Sequence, residues 1–197
     1  YHQSRWGYSP DSAVLQIAQE LRNRHIPADG LWLDIQHMDG FRSFTWDPLT
    51  FPDPAGLMSQ LDALGFKAVA IVDPGIKVDP GWDVYDTGLA KGYFLAQGGS
   101  PYVGEVWPGA AVFPDFSAPE VRAFWASLVP RTLGPGVSGL WIDMNEPSNF
   151  TGAPGGSVPD SLVAQGDGVP GTMAELHNVY ALGEARATFE GMKAAAP

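Results

Sequence analysis

Cysteine is absent from the 197-residue sequence, and positive charge is scarce. Without cysteine there can be no disulfide framework, no zinc site built on thiolates and no thiol nucleophile. The 11 Lys and Arg are outnumbered by 22 Asp and Glu, and the net charge of −11 argues against nucleic acid or an anionic membrane surface as a partner. No apolar run is long enough to cross a bilayer. No signal peptide is visible either, so the cellular compartment is left open.

Metal-ligand patterns are missing as well. The four histidines, which are His2, His25, His37 and His177, do not show the spacing of a metal site. We therefore interpret them as structural or surface residues.

The overall composition of the sequence is typical of a globular protein. Hydrophobic residues make up 45% of the sequence and charged residues 17%, which is enough apolar surface to form a core. The length falls below the roughly 250 residues of a complete eight-stranded α/β barrel. The sequence starts at Tyr1 and ends at Pro197 directly after a helical pattern. We therefore expect residues 1–197 to be one piece of a longer protein, truncated at both ends.

Three apolar runs of strand length each end in a carboxylate. The runs cover residues 30–35, 66–72 and 137–142, and the acidic residues at their ends are Asp34, Asp73 and Asp143. Patterns of helical spacing lie between the runs, and this alternation is typical of parallel βα units. Because the carboxyl ends of parallel strands lie along one edge of a sheet, we expect the three carboxylates to converge there.

The favoured fold class is α/β, a partial (β/α)8 TIM barrel. It would contain roughly the first four βα units, with a long loop or inserted subdomain over residues 74–116 after the third strand. A doubly wound open sheet is the main alternative, but no glycine-rich phosphate loop opens the first helix. In the last helix, a cap formed by Thr172 and Glu175 is predicted, with Leu176, Val179, Tyr180 and Met192 facing inward.

Convergent carboxylates among aromatic residues suit a sugar ligand. Aromatic faces stack on the C–H faces of a pyranose, and carboxylates accept hydrogen bonds from its hydroxyls. Hydrolysis with retention needs two carboxyl groups about 5 Å apart across the glycosidic bond. On spacing alone, however, Asp143 could equally be a solvated residue that only ends its strand.

The residues around Asp143 carry a resemblance to a known family. Residues 139–150 read GLWIDMNEPSNF, which resembles the active-site signature of glycoside hydrolase family 31, the α-glucosidase family. The similarity continues through residues 2–8, 34–39, 44–47, 71–74, 106–109 and 113–116. In that family the Asp of the signature is the catalytic nucleophile, so the resemblance places this role on Asp143.

The resemblance also implies a substrate pocket. Asp34 would bind hydroxyls of the cleaved sugar, and Asp73 would support the pocket at its base. Its walls would be formed by Trp6, Ile71, Trp107, Trp141, Met144 and Phe150. The Gln36-His37 pair departs from the acidic residue and Tyr that are common in the family, which affects substrate preference.

The resemblance implies a retaining exo-α-glucosidase that needs no cofactor and takes an oligosaccharide or α-glucoside as its partner. Alternatives are an α-xylosidase, a transglucosylase, or a catalytically silent relative acting as a binding or regulatory subunit. Assembly into homo-oligomers is left open. No residue matches the family's acid/base, which we expect downstream of Pro197, so the isolated chain is expected to be inactive. Glu146 has no such role by resemblance, and the Asn149 sequon lies inside the motif and is expected to stay unused.

Overall fold

The computed structural model describes residues 1–153 and 156–195. These residues divide into two units. The first is built mainly from Tyr1–Val72 and Leu128–Trp141, and the second from the described residues of Asp73–Ser127 and Ile142–Ala194. No helix in this part of the chain combines the length and apolar character that crossing a membrane would require.

The secondary structure alternates between strands and helices at first and becomes more irregular after the third strand. The strands are β1 (His2–Ser4), β2 (Gly30–Leu33), β3 (Lys67–Val72), β4 (Ile76–Lys77), β5 (Ala96–Gln97), β6 (Ser100–Pro101), β7 (Gly104–Val106), β8 (Gly109–Val112), β9 (Gly139–Ile142), β10 (Ser148–Ala153), β11 (Val163–Ala164) and β12 (Gly171–Thr172). The α-helices are α1 (Asp11–Asn23), α2 (Pro54–Ala63), α3 (Asp83–Lys91), α4 (Pro119–Leu133), α5 (Met173–Leu176) and α6 (Tyr180–Ala195). Short 3-10 helices cover Ile35–His37, Asp39–Phe41 and His177–Val179.

The principal sheet has the strand order β1-β2-β3-β9. Both β1 with β2 and β2 with β3 pair in parallel, and Gly30 to Leu33 lie opposite Lys67 to Ala70. The strands follow one another in chain order without the reversal that defines a doubly wound sheet. This order favours the barrel over the open sheet. The predicted carboxylates Asp34, Asp73 and Asp143 each come directly after one of these strands.

Apolar packing between α1, α2 and the sheet forms the core of the first unit. Its fully buried members include Val14, Leu31, Leu57, Leu61 and Phe66. Burial of such side chains stabilises the fold by roughly 1.5–3 kcal/mol each. The regular spacing of these residues is the reason why this unit could be predicted from the sequence.

Arg22 joins three segments of the first unit. Its guanidinium donates hydrogen bonds to the carbonyl oxygens of Leu64 and Ala28, both at 2.8 Å. The same group lies 3.8 Å from the centre of the Phe66 ring.

Gly65 follows α2 with a φ of 76°, a left-handed conformation that glycine adopts at little cost. This conformation ends α2.

The second unit is dominated by short antiparallel strands. One sheet has the order β4-β8-β7 and another the order β12-β11-β5-β6. Most of these strands, together with α3, come from the long segment after β3, and the predicted insertion is confirmed. At the start of α5, Glu175 accepts a hydrogen bond from the Thr172 N–H at 2.9 Å, so the predicted cap is confirmed. The single last helix predicted after it is instead divided into α5, a 3-10 helix and α6. The inward orientation predicted for Val179 is wrong, because its side chain is 48% exposed.

Candidate active site

A strained turn follows β9 and carries the candidate nucleophile. Asp143 is half-buried and comes directly after the last strand residue. Met144 has a φ of 58°, which is unfavourable for a side chain of this size, and the Ser148 N–H donates to the Met144 carbonyl at 2.9 Å. A strained backbone of this kind persists only where the surrounding structure holds it.

Glu184 on α6 is a fully buried carboxyl group in the same unit. Burial raises its pKa well above the ordinary value of 4.5. The Asn145 side chain is close enough to oppose this increase by hydrogen bonding, and the negative charges of Asp73 and Asp143 reinforce it. Among the described residues, neither carboxyl oxygen of Glu184 has a hydrogen bond of regular geometry. The raised pKa favours the protonated, neutral form of this side chain.

Close packing around Phe116 positions α6. A side chain at Gly183 would place a Cβ atom 2.8 Å from the Phe116 Cβ, so only glycine allows the helix to approach this closely. The rings of Phe116 and Tyr180 meet edge to face at 5.2 Å. One turn beyond Glu184, the buried Thr188 hydroxyl accepts a hydrogen bond of 2.9 Å from Trp125 Nε1. These contacts keep Glu184 in the interior of the unit.

Asp73 comes directly after β3 and is only 7% exposed. A side chain at the nearby Gly75 would lie 2.5 Å from a methyl group of Val106, so the backbone here packs tightly. The burial of Asp73 is more consistent with the predicted supporting role at the base of the pocket than with a solvated side chain. The negative charges of Asp73 and Asp143 contribute to the raised pKa of Glu184.

Trp107 and Phe150 form an exposed aromatic pair in the second unit. Their ring centres are 5.0 Å apart at an angle of 80°, an edge-to-face arrangement. The side chains are 44% and 51% exposed. Exposed aromatic faces of this kind are available for stacking on a sugar ring.

Asn149 fixes the backbone beside this aromatic pair. Its Oδ1 accepts a hydrogen bond from the Glu105 N–H at 2.9 Å, and its Nδ2 donates to the Tyr102 hydroxyl at 2.9 Å. The side chain has no exposed surface. The Asn149 amide is therefore occupied inside the folded unit, in agreement with the expectation that its sequon is unused.

Asp34 occupies the equivalent place after β2 in the first unit. Its Oδ1 accepts a hydrogen bond of 2.7 Å from the Ile35 N–H, so the carboxylate caps the short 3-10 helix that follows. The Asp34 backbone oxygen accepts from His37 Nδ1 at 2.9 Å. The carboxylate is half-buried.

His37 is buried and uncharged at neutral pH. Burial lowers its pKa from 6.5 to about 4, and the hydrogen bond to Asp34 opposes this decrease only in part. Because a carbonyl oxygen can only accept, the neutral ring carries its proton on Nδ1. The ring lies 4.7 Å from that of Trp46, and no partner for Nε2 is found in the described part of the chain.

The remaining pocket residues of the first unit differ in exposure. Ile71 is 2% exposed and packs with Ile35 and Met38, and the half-buried Trp141 lies against this cluster. Trp141 also meets the Trp32 ring edge-on at 5.9 Å. Trp6, by contrast, is 65% exposed.

The predicted site residues are thus distributed over both units. The first contains Trp6, Asp34, Ile71 and Trp141, and the second contains Asp73, Trp107, Asp143, Met144 and Phe150. Within the second unit, Trp107 pairs with Phe150, and the charges of Asp73 and Asp143 both raise the pKa of Glu184. The convergence of Asp34 with the other two carboxylates stays a prediction. Across residues 1–153 and 156–195, no three acidic or histidine side chains are grouped so that they could hold a metal ion.

Glu184 is the functional candidate that sequence reasoning missed. A signal exists, because Tyr180, Glu184 and Thr188 are spaced four residues apart and lie on the buried face of α6. A carboxyl group on the predicted buried face of a helix costs free energy to desolvate. Its presence there therefore indicates a specific interaction with the surrounding residues.

Comparison with known proteins places this fold among the glycoside hydrolases. The profile of the glycosyl hydrolases family 31 TIM-barrel domain matches residues 1–197. Alpha-glucosidase 2 from Bacillus thermoamyloliquefaciens is 42% identical over 194 residues, covering 98% of this chain and 24% of the relative. Mouse neutral alpha-glucosidase AB is 40% identical over 196 residues, covering 98% of this chain and 20% of the relative.

A solved structure agrees with these relatives. The Glc1Man2-bound glucosidase II alpha subunit superimposes with a TM-score of 0.92 at 32% identity, covering 100% of this chain and 21% of that one. The chain belongs to glycosyl hydrolase family 31. The predicted partial barrel is thereby confirmed, and the chain spans about a quarter or less of the length of these relatives.

Proposed function

We propose that residues 1–197 are the N-terminal part of the catalytic barrel of a longer parent protein, a retaining α-glucosidase with Asp143 as its nucleophile. The position of Asp143 at the end of β9, within the signature at residues 139–150, is the observation that carries this proposal. Strand ends of this kind are where barrel enzymes keep their catalytic groups. The α-glucosidase names of the relatives support the same substrate class.

The proposed chemistry proceeds in two displacements. A carboxylate oxygen of Asp143 attacks the anomeric carbon and forms an ester, while the bond to the leaving oxygen breaks. A second carboxyl group protonates that oxygen and later removes a proton from the attacking water. No residue of this chain matches the family's second group. Glu184 does not fit this role, because it is fully buried and an acid/base must reach the leaving oxygen.

Substrate binding is assigned to the carboxylate and the aromatics around these strand ends. Asp34 accepts hydrogen bonds from hydroxyls of the cleaved sugar, and Asp73 supports the base of the pocket. The walls are formed by Trp6, Ile71, Trp107, Trp141, Met144 and Phe150. The exposed faces of Trp107 and Phe150 suit stacking on a pyranose.

The parent protein tests the proposal directly. Incubated with a nitrophenyl α-glucoside, it is expected to release glucose whose first anomer, followed by proton NMR, is the α-form. Release of the β-anomer would contradict retention. Preferred cleavage of an α-xyloside, or transfer of glucose to an acceptor, would support the alternatives within the family. A parent protein that binds sugars without turnover would be a silent relative.

The isolated chain provides a second test. Residues 1–197 alone are expected to show no glucosidase activity, since a single catalytic carboxylate cannot complete the two displacements. We also expect self-association, because an incomplete barrel leaves strand edges unpaired. Cleavage of maltose by a monomeric preparation of this chain would refute the assignment of the acid/base to a downstream residue.

A further inference from the structure

A short segment lies beside the turn that follows the candidate nucleophile. We call residues 156–158 the strap. The Asn149 N–H donates to the first carbonyl of the strap at 2.7 Å, and the last N–H of the strap donates to the Pro147 carbonyl at 3.2 Å. Between these two hydrogen bonds, Ser148 and Ser157 form an antiparallel bridge. The backbone therefore holds the strap on both sides of Ser148.

The side chains of Ser157 and His177 add a chain of hydrogen bonds to this contact. The Ser157 hydroxyl donates to the Pro147 carbonyl at 3.0 Å, and its oxygen lies 2.8 Å from His177 Nε2. Because the carbonyl oxygen can only accept, the single hydroxyl proton is used there. His177 Nε2 therefore carries the proton of the second hydrogen bond and donates it to Ser157 Oγ. The chain runs in one direction, from the imidazole through the hydroxyl to the carbonyl.

The strap approaches β10 very closely at Gly152. A Cβ atom at this position would collide with the Ser157 carbonyl oxygen, so the approach requires glycine. Ser157 and His177 are both half-buried. In partly buried surroundings a hydrogen bond is stronger than in water, and successive hydrogen bonds polarise one another. The contact between His177 and the strap is therefore suited to fixing a backbone.

The backbone that this chain of hydrogen bonds reaches begins next to Asp143. The Ser148 N–H donates to the Met144 carbonyl at 2.9 Å, which closes a turn that includes Pro147. Met144 has a φ of 58°, and a strained conformation of this kind persists only where the surrounding structure holds it. The hydrogen bonds that the Pro147 carbonyl accepts come from the strap, which thus provides such support.

We propose that His177 is a positioning residue for Asp143 and acts through Ser157. The imidazole orients the Ser157 hydroxyl, which holds the Pro147 carbonyl and with it the turn behind the nucleophile. The inference rests on the proposed function, in which Asp143 attacks the sugar. Displacing a reacting group by about 1 Å can cost 10²-fold in rate, so a side chain that fixes this turn affects turnover without touching the substrate.

Two substitutions of His177 in the parent protein separate hydrogen bonding from packing. His177→Gln keeps an N–H donor at a similar reach, and its kcat is expected to stay within about threefold of wild type. His177→Phe fills the same space without a donor, and its kcat is expected to fall about 10-fold with little change in KM. Equal kcat values for the two variants, measured well below the Tm of each, would overturn the inference.

Ser157→Ala tests the route by which His177 acts. The change removes the hydroxyl through which the imidazole reaches the turn, and kcat is expected to fall at least as far as in His177→Phe. The double variant Ser157→Ala/His177→Phe is expected to be no slower than Ser157→Ala alone, because both changes break the same chain. Losses that multiply in the double variant would show that His177 does not act through Ser157.

Ser127→Ala is the matched control. The Ser127 hydroxyl donates to the Phe124 carbonyl at 2.6 Å within α4, so this change also takes a serine hydroxyl away from a backbone carbonyl. We expect an unchanged kcat, because the turn after Asp143 keeps all its hydrogen bonds. If the kcat of every variant simply follows its Tm, Ser157 and His177 have only a structural role and the inference is wrong.

A measurement without turnover separates this inference from the proposed function. The Asn149 N–H, which donates to the Gly156 carbonyl, reports on the strap through its hydrogen-exchange rate. His177→Phe and Ser157→Ala are expected to accelerate this exchange about 10-fold, and His177→Gln to leave it near wild type. Unchanged exchange in the Phe and Ala variants overturns the positioning role. A parent protein without α-glucosidase turnover would contradict the proposed function, while the exchange rates would still decide whether His177 holds the strap.

Discussion

Two nearly identical strings behave alike as strands and differently after them. Gly30-Leu-Trp-Leu-Asp-Ile and Gly139-Leu-Trp-Ile-Asp-Met provide β2 and β9, members of the same sheet. After Asp34 the chain enters a short 3-10 helix that the carboxylate caps. After Asp143 it enters a left-handed conformation at Met144. Both strings thus form strands of the same sheet. The residues after each strand determine whether its carboxylate accepts a hydrogen bond from the adjacent backbone.

Each unit contains a buried titratable side chain whose pKa is shifted by burial, and the two shifts have opposite directions. His37 contacts the Asp34 backbone, and burial lowers its pKa to about 4. Glu184 lies in the same unit as Asp143, and burial raises its pKa well above the ordinary value. Burial disfavours the charged form in both cases, so it favours the neutral imidazole of His37 and the neutral carboxyl group of Glu184.

The largest effect is expected from Asp143→Ala in the parent protein. Without the attacking group the covalent route is lost, and turnover should fall by at least about 10⁴-fold. Glu146→Gln, three residues away and exposed, is the control and should retain activity.

Chemical trapping can decide the same assignment independently. A slow fluorinated α-glucoside should leave a sugar esterified to Asp143, identified by peptide mass mapping. A label on Glu146 or Asp73 would instead show that Asp143 is not the nucleophile.

A smaller loss is expected from Asp34→Asn. The amide oxygen can still accept from the Ile35 N–H, so the cap survives while the charge disappears. Loss of a charge-assisted hydrogen bond that strengthens in the transition state should lower kcat/KM by roughly 10²-fold. Asp53→Asn, which changes the exposed cap of α2 in the same way, should leave kcat/KM unaltered. Near wild-type kinetics in the Asp34 variant would remove it from the pocket.

His37→Phe should alter how stability depends on pH. In wild type the folded state binds this proton only below about pH 4, whereas the unfolded state binds it below 6.5. The stability contributed by neutral His37 is therefore complete above pH 6.5 and is lost as the pH falls towards 4. We expect this loss to be on the order of 2–3 kcal/mol and to be absent from the variant. Denaturant titrations between pH 4 and 7 measure it, and parallel curves for both proteins would contradict the burial of a neutral imidazole.

The smallest effect is expected beside β10, where Asn149 donates to the Tyr102 hydroxyl. Tyr102→Phe removes that acceptor and should lower the free energy of unfolding by about 1 kcal/mol. Tyr1→Phe removes an exposed hydroxyl that donates to Gln3, and thermal unfolding should scarcely change. Equal Tm shifts in the two variants would show that the Asn149 contact adds no stability.

The amino-acid sequence by itself determined the repeated units of this protein. Apolar runs of strand length, helical spacing between them and a carboxylate after each strand depend on neighbours along the chain, so β2, β3 and β9 could be predicted within a few residues. The Asp143 signature was equally visible, because its residues are contiguous. The long segment after β3 could be recognised only as an insertion, since its two-residue strands carry no periodic pattern.

Only the tertiary structure decided which polar groups are buried. The states of His37 and Glu184 depend on burial by segments distant in sequence, and Val179 proved exposed although its spacing suggested otherwise. Desolvation is a property of the surrounding atoms rather than of the residue itself. For that reason the carboxylates could be found from the sequence, whereas the buried states of His37 and Glu184 depend on the folded surroundings of each side chain.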